Sequence, residues 1–102
     1  MIFNKLVRDK IPKIIRNNHK VPVTKILNES EYRFELEKKL QEEVLEYLNS
    51  NGDINEIADI FEVLFAIVKD RGYNIDDVMK IKEDKCKKRG GFEKKIFLIE
   101  AD

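Results

Sequence analysis

The sequence predicts a mainly α fold. An antiparallel helical hairpin forms the core, a third helix follows it, and residues near 21–27 and 95–99 supply a small antiparallel β element. Three observations lead there. Apolar residues recur at helical spacing from about Glu31 to Leu48, and again from Ile54 to about Arg71. The link between these stretches, Asn49-Ser50-Asn51-Gly52, is a short polar turn, which makes the two helices antiparallel neighbours. Val21, Val23, Thr24 and Ile26 in one stretch, and Ile96 to Ile99 in another, carry β-forming side chains.

Taken in order, Met1 to Lys10 is a basic segment that Ile2, Leu6 and Val7 can anchor. A short helix follows, with Pro12 in its first turn, where a missing N–H costs nothing. Ile11, Ile14 and Ile15 are expected to pack inward, and Asn17-Asn18 to end the helix. Pro22 confines the stretch after it to a sheet edge or a strand end. Asn28 with Glu31, or Ser30 alone, can cap the first long helix. Asp53 reads as the cap of the second, with Glu56 placed as its capping-box partner. Gly72 suits the residue after a helix end. Asn74 caps the third helix, whose apolar side is Ile75, Val78, Met79 and Cys86. Gly90-Gly91 ends that helix, and Phe92 to Glu100 leads into the last strand.

The two long helices carry the chemistry. At about 100° per residue, Leu36, Leu40, Val44, Tyr47 and Leu48 form one arc, with Glu43 on its edge, Glu46 a step out and Glu42 further still. On the second helix, Ile57, Ile60, Phe61, Val63, Leu64, Phe65, Ile67 and Val68 cover more than half the circumference. Glu56 falls inside that arc and Asp59 on its border. A carboxylate aimed into an apolar face is costly unless paired, protonated or metal-bound. Capping accounts for Glu56 alone, and solvation for any single acid. Four acids at E-x-x-E and E-x-x-D spacing on neighbouring helices point instead to a site for a hard divalent cation with oxygen ligands.

Composition narrows the classes. The 102 residues make one domain, residues 1–102, without internal repeats. Twenty basic residues balance twenty acidic ones, which argues against binding a nucleic acid polymer through bulk charge. A single cysteine, Cys86, allows no disulfide within the chain, and its expected place is a buried or incidental one. The longest apolar run, Val63 to Val68, is too short to span a bilayer, and a cytoplasmic location is expected. The apolar arc of the second long helix exceeds what one hairpin covers, which predicts self-association.

Glu42 to Glu46 (EEVLE) and Glu56 to Ile60 (EIADI) resemble the paired acidic motifs of the MazG-like all-α nucleoside triphosphate pyrophosphohydrolases, a group that includes phosphoribosyl-ATP pyrophosphohydrolases. The opening NKLVRDKIP (Asn4 to Pro12) and the closing RGGFEKKIFL (Arg89 to Leu98) resemble a compact branch of that superfamily. The spacer between the acidic pairs is short for the family. The resemblance implies Mg²⁺ (or Mn²⁺) held by Glu43, Glu46, Glu56 and Asp59. The nearest candidates for general base are Glu43 and Glu46, with Glu42 behind them. It implies a nucleoside triphosphate cleaved between its α- and β-phosphates, in a homodimer or homotetramer. Lys5, Arg8, Lys85 and Arg89 are the candidate phosphate contacts, beside the plainer account of each as a surface charge. The rival classes are a non-catalytic helical association module and a nucleotide-binding protein without turnover.

Overall fold

Asn28 shows how locally the helix boundaries are written. Its side chain accepts from the Glu31 N–H at 2.9 Å, and the Glu31 carboxylate accepts from the Asn28 N–H at 3.1 Å, closing a capping box. The backbone hydrogen bond to Asn28, followed by the charge of Lys25, holds the Glu31 carboxyl below its ordinary pKa. Asp53 and Asn74 cap the next two long helices through the N–H groups of Asn55 and Asp76. The computed structural model describes all 102 residues. Its helices are α1 (Ile11–Asn17), α2 (Glu29–Asn49), α3 (Ile54–Asp70) and α4 (Ile75–Arg89).

α2 and α3 form the antiparallel hairpin. Arg33 Nε donates to Asp70 Oδ2 at 2.9 Å and Arg71 Nη2 to Glu37 Oε2 at 3.1 Å, tying the start of α2 to the end of α3. At the other end, Asn51 (φ 59°) and Gly52 (φ 83°) both take left-handed backbone, which Asn and Gly tolerate best. Between the helices, Leu36 (3% exposed) and Val63 (8%) are the fully buried apolar residues. Leu36→Ala is expected to destabilise the chain by about 2–5 kcal/mol, read by thermal or denaturant unfolding. A loss under 1 kcal/mol would remove Leu36 from the centre of the packing.

The predicted β element is absent. The structure has no strand, and residues 21–27 and 95–99 run as unpaired chain. Lys95, which was to open the second strand, takes φ 59° and donates its N–H to the Phe92 carbonyl in a turn. Two short strands alone are marginal in water, and Val23 and Ile26 stay almost fully exposed. One smaller expectation also fails: Ile14 is exposed, while Ile11 and Ile15 are half-buried. Of the two places expected for Cys86 the structure takes the incidental one, an exposed thiol on α4, which touches only α3. No helix is long and apolar enough to cross a membrane.

The outline is extended. The radius of gyration is 18.0 Å and the extents are 60 × 33 × 24 Å. A compact domain of this length has a radius of gyration of about 13 Å.

Candidate functional site

The hairpin brings the predicted acids together. Carboxylate oxygens of Glu43, Glu56 and Asp59 lie within 4.8 Å of one another, and so do those of Glu42, Glu43 and Glu46. Glu43 belongs to both groups and joins the two helices' acids into one cluster. It is 6% exposed, the one buried charged residue of the chain. Glu56 and Asp59 are half-buried, and Glu46 is exposed at the rim, so the cluster opens to solvent on one side.

Glu56 is not a capping residue. The Asp53 N–H, which a capping-box partner would take, donates instead to Ser50 Oγ at 3.1 Å. Glu56 Oε2 is buried without a hydrogen-bond partner, and so is Glu43 Oε2. An orphaned buried polar atom costs about 1–3 kcal/mol, more when charged. Two such oxygens in one acidic cluster suit a cation that accepts only oxygen ligands, and no nitrogen or sulfur donor competes there.

Three cations already border the cluster. Lys39 Nζ lies 3.2 Å from Glu42 Oε1 and 3.3 Å from Glu43 Oε1. Arg8 Nη2 donates to Asp59 Oδ1 at 2.8 Å, and its Nη1 lies 3.8 Å from Glu62. Lys5 Nζ sits 3.7 Å from Glu42 Oε1. Two of the four predicted phosphate contacts, Lys5 and Arg8, therefore stand at the acids. The other two do not: Lys85 and Arg89 are exposed on α4 and pair with no acid. Lys39 and Glu62 escaped the sequence reading. Lys39 carried a signal, since it precedes Glu42 and Glu43 by three and four residues, the spacing of neighbours on a helix.

The electrostatics follow from burial and crowding. Burial pushes the Glu43 carboxyl above its ordinary 4.5, and the hydrogen bond and charge of Glu46 add to that, while Lys39 pulls the other way. Burial pulls the Lys39 ammonium down, but its hydrogen bonds to Glu42 and Glu43 and their charges outweigh it, leaving Lys39 above the ordinary lysine value. A buried acid raised by its acidic neighbour marks a cluster short of positive charge.

Comparison with known proteins adds one relative. The chain is 49% identical over 41 residues, 40% of its length, to an "Uncharacterized protein" from Mycolicibacterium smegmatis. The matched stretch spans 42% of that relative's own length. No protein-family model matches the chain, and no solved structure matches it.

Proposed function

We propose that the protein is a Mg²⁺-dependent nucleoside triphosphate pyrophosphohydrolase, with Mn²⁺ as a substitute metal. It would release a nucleoside monophosphate and pyrophosphate. The observation that carries this reading is the convergence of Glu43, Glu56 and Asp59, which Glu46 joins only through Glu43, with two buried carboxylate oxygens left without partners. Support also comes from the sequence resemblance at those same residues and from Lys5 and Arg8 beside them. Self-association as a dimer or tetramer belongs to the same proposal, given how much apolar side chain a single copy exposes.

Glu43, Glu46, Glu56 and Asp59 would hold the ion. When bound, it would offset charge on the substrate's phosphates and make water a better nucleophile near neutral pH. Glu43 and Glu46 form the proton-handling pair. A carboxylate lifted toward neutrality is a stronger base than a free one, and Glu46 at the rim passes the proton on to solvent. Water adds at the α–β anhydride and the bridging P–O bond breaks. Arg8 and Lys5, which border the cluster at Asp59 and Glu42, would contact the polyphosphate, where the guanidinium suits bidentate contact.

The test is a panel of nucleoside triphosphates assayed for pyrophosphate and for inorganic phosphate, with and without Mg²⁺ or Mn²⁺. Metal-dependent pyrophosphate from at least one member is expected. Inorganic phosphate alone would move the cleaved bond. No product from any member would favour the second reading, a helical association module, which the large exposed apolar surface also suits. Against that module stand the two orphaned oxygens, which association away from the cluster leaves uncompensated.

A further inference from the structure

The chain exposes far more surface than a folded monomer of its mass. Its accessible area is 9824 Å². A compact monomer of 12.1 kDa exposes about 6,000 Å², leaving an excess of roughly 3,800 Å². A standard interface hides only about 800 Å² per partner, and obligate dimers hide more.

Much of the excess lies in one part of the chain. Of α4, only Ile75 and Val78 near its start are half-buried, and every residue from 81 to 102 is exposed. The helix leaves the hairpin, Gly90 at φ 83° breaks it, and the chain beyond carries Phe92 (97% exposed), Ile96, Phe97, Leu98 and Ile99 (88%) into solvent. Facing no partner on the hairpin are Phe34, Leu45 and Leu48 of α2 and Phe61 and Phe65 of α3. Here, then, are two apolar surfaces on one chain, each uncovered by the other.

Charge separates in the same way. Residues 80–95 hold eight lysines and arginines against three acids, whereas residues 29–70 hold twelve acids against four lysines and arginines. A chain that is neutral as a whole thus carries an acidic hairpin between two basic segments, the arm and residues 1–28, where seven lysines and arginines face one acid. The surface best matched in sign and in apolar character to the arm is the hairpin of the same sequence.

We propose that residues 80–99 form an arm that lies on the α2–α3 hairpin of a second copy of the chain, which returns its own arm. From residue 80 to the end of α4 the helix extends about 15 Å, and the stretch from 91 to 99 adds up to about 30 Å, enough to cross a neighbouring hairpin. Reciprocal exchange about a two-fold axis closes the assembly at two copies and covers both apolar faces at once. Arm and hairpin meet through an apolar seam, with the lysine-rich helix along the acidic rim.

The test uses the full native chain and neither metal nor nucleotide; the crosslink map and the arm variant judge the arm exchange, and pyrophosphate release by the native chain judges the hydrolase reading separately. Sedimentation should give a mass of two chains or a multiple of two. After treatment with an amine-reactive crosslinker, the covalent monomer and dimer are separated and their linked peptides mapped. Links from Lys85, Lys88, Lys94 or Lys95 to Lys38, Lys39 or Lys69 are expected in the covalent dimer alone. The same links in the covalent monomer would mean that the arm folds back on its own hairpin, and would overturn the proposal. The double substitution Phe97→Glu with Ile99→Glu falls on residues exposed in the single chain, so helicity should persist while the mass drops to one chain. An unchanged mass in that variant, or a single-chain mass for the native protein, would also overturn it.

Discussion

Replacing Glu56 by Gln, or Asp59 by Asn, is expected to lower Mg²⁺-dependent pyrophosphate release by about two to three orders of magnitude, the scale on which a lost metal contact weakens transition-state stabilisation. Both substitutions keep side-chain size and remove one negative charge from a cluster in which three carboxylates lie within 4.8 Å. The fold should survive each. Glu56→Gln relieves an acid whose Oε2 has no partner. Asp59→Asn weakens the bond to Arg8, but the Arg8 side chain is exposed and Asp59 only half-buried, and ion pairs in contact with solvent contribute about 1 kcal/mol or less. Circular dichroism should therefore match the native protein while product release disappears. Full activity in both variants would exclude the acidic cluster as the catalytic site. Loss of helicity together with activity would assign Glu56 and Asp59 a structural role instead.

How far the sequence revealed this arrangement depends on how local each determinant is. The caps at Asn28, Asp53 and Asn74 were legible because each acts within three residues of itself. The hairpin was legible because a four-residue polar link leaves two helices little choice of neighbour. Glu43 at the edge of one apolar arc and Glu56 inside the next were legible from helical period alone, and both come out with buried oxygens. The period could not show that Ser50 would take the Asp53 N–H and so free Glu56 from capping. Nor could it single out Lys39, which resembles any surface lysine until Glu43 beside it is buried. The β element failed for a different reason. Strand propensity in Val21–Leu27 and Ile96–Ile99 is a property of side chains, whereas a strand needs a partner, and Lys95 turns the chain away at the point where pairing would start. The wide apolar arc of α3 was read correctly as more than one hairpin covers: Phe61 and Phe65 remain exposed.

Mg²⁺ should stabilise the protein, and by more as pH rises. The Glu43 carboxyl stands above its ordinary 4.5 in the folded chain, so without metal the folded state holds a proton that the unfolded chain has released. Stability then falls as pH rises from about 4.5 through the raised value, the direction linkage requires for a group that binds protons better when folded. The groups facing Glu43 are Lys39, Glu42 and Glu46 from its own helix, and Glu56 and Asp59 from α3; Lys5 and Arg8 reach Glu42 and Asp59 from the N-terminal segment. Lys39, above its ordinary 10.5, stays charged throughout that window and so does not reverse the slope. A divalent cation competes with the proton for the same oxygens, and its gain grows as protonation fades. At a hundredfold excess over its dissociation constant the gain is about 2.7 kcal/mol, or roughly 10–20 °C in Tm for a chain of this size. Thermal melts from pH 4.5 to 7.5 at fixed protein concentration, with and without Mg²⁺, check this. The metal-free Tm should decline above pH 4.5 and level off once Glu43 has lost its proton, the Mg²⁺ curve should rise away from it, and Glu56→Gln should bring the two together. Melting curves indifferent to Mg²⁺ at every pH would mean that Lys39, Arg8 and Lys5 already satisfy the cluster and that it holds no ion.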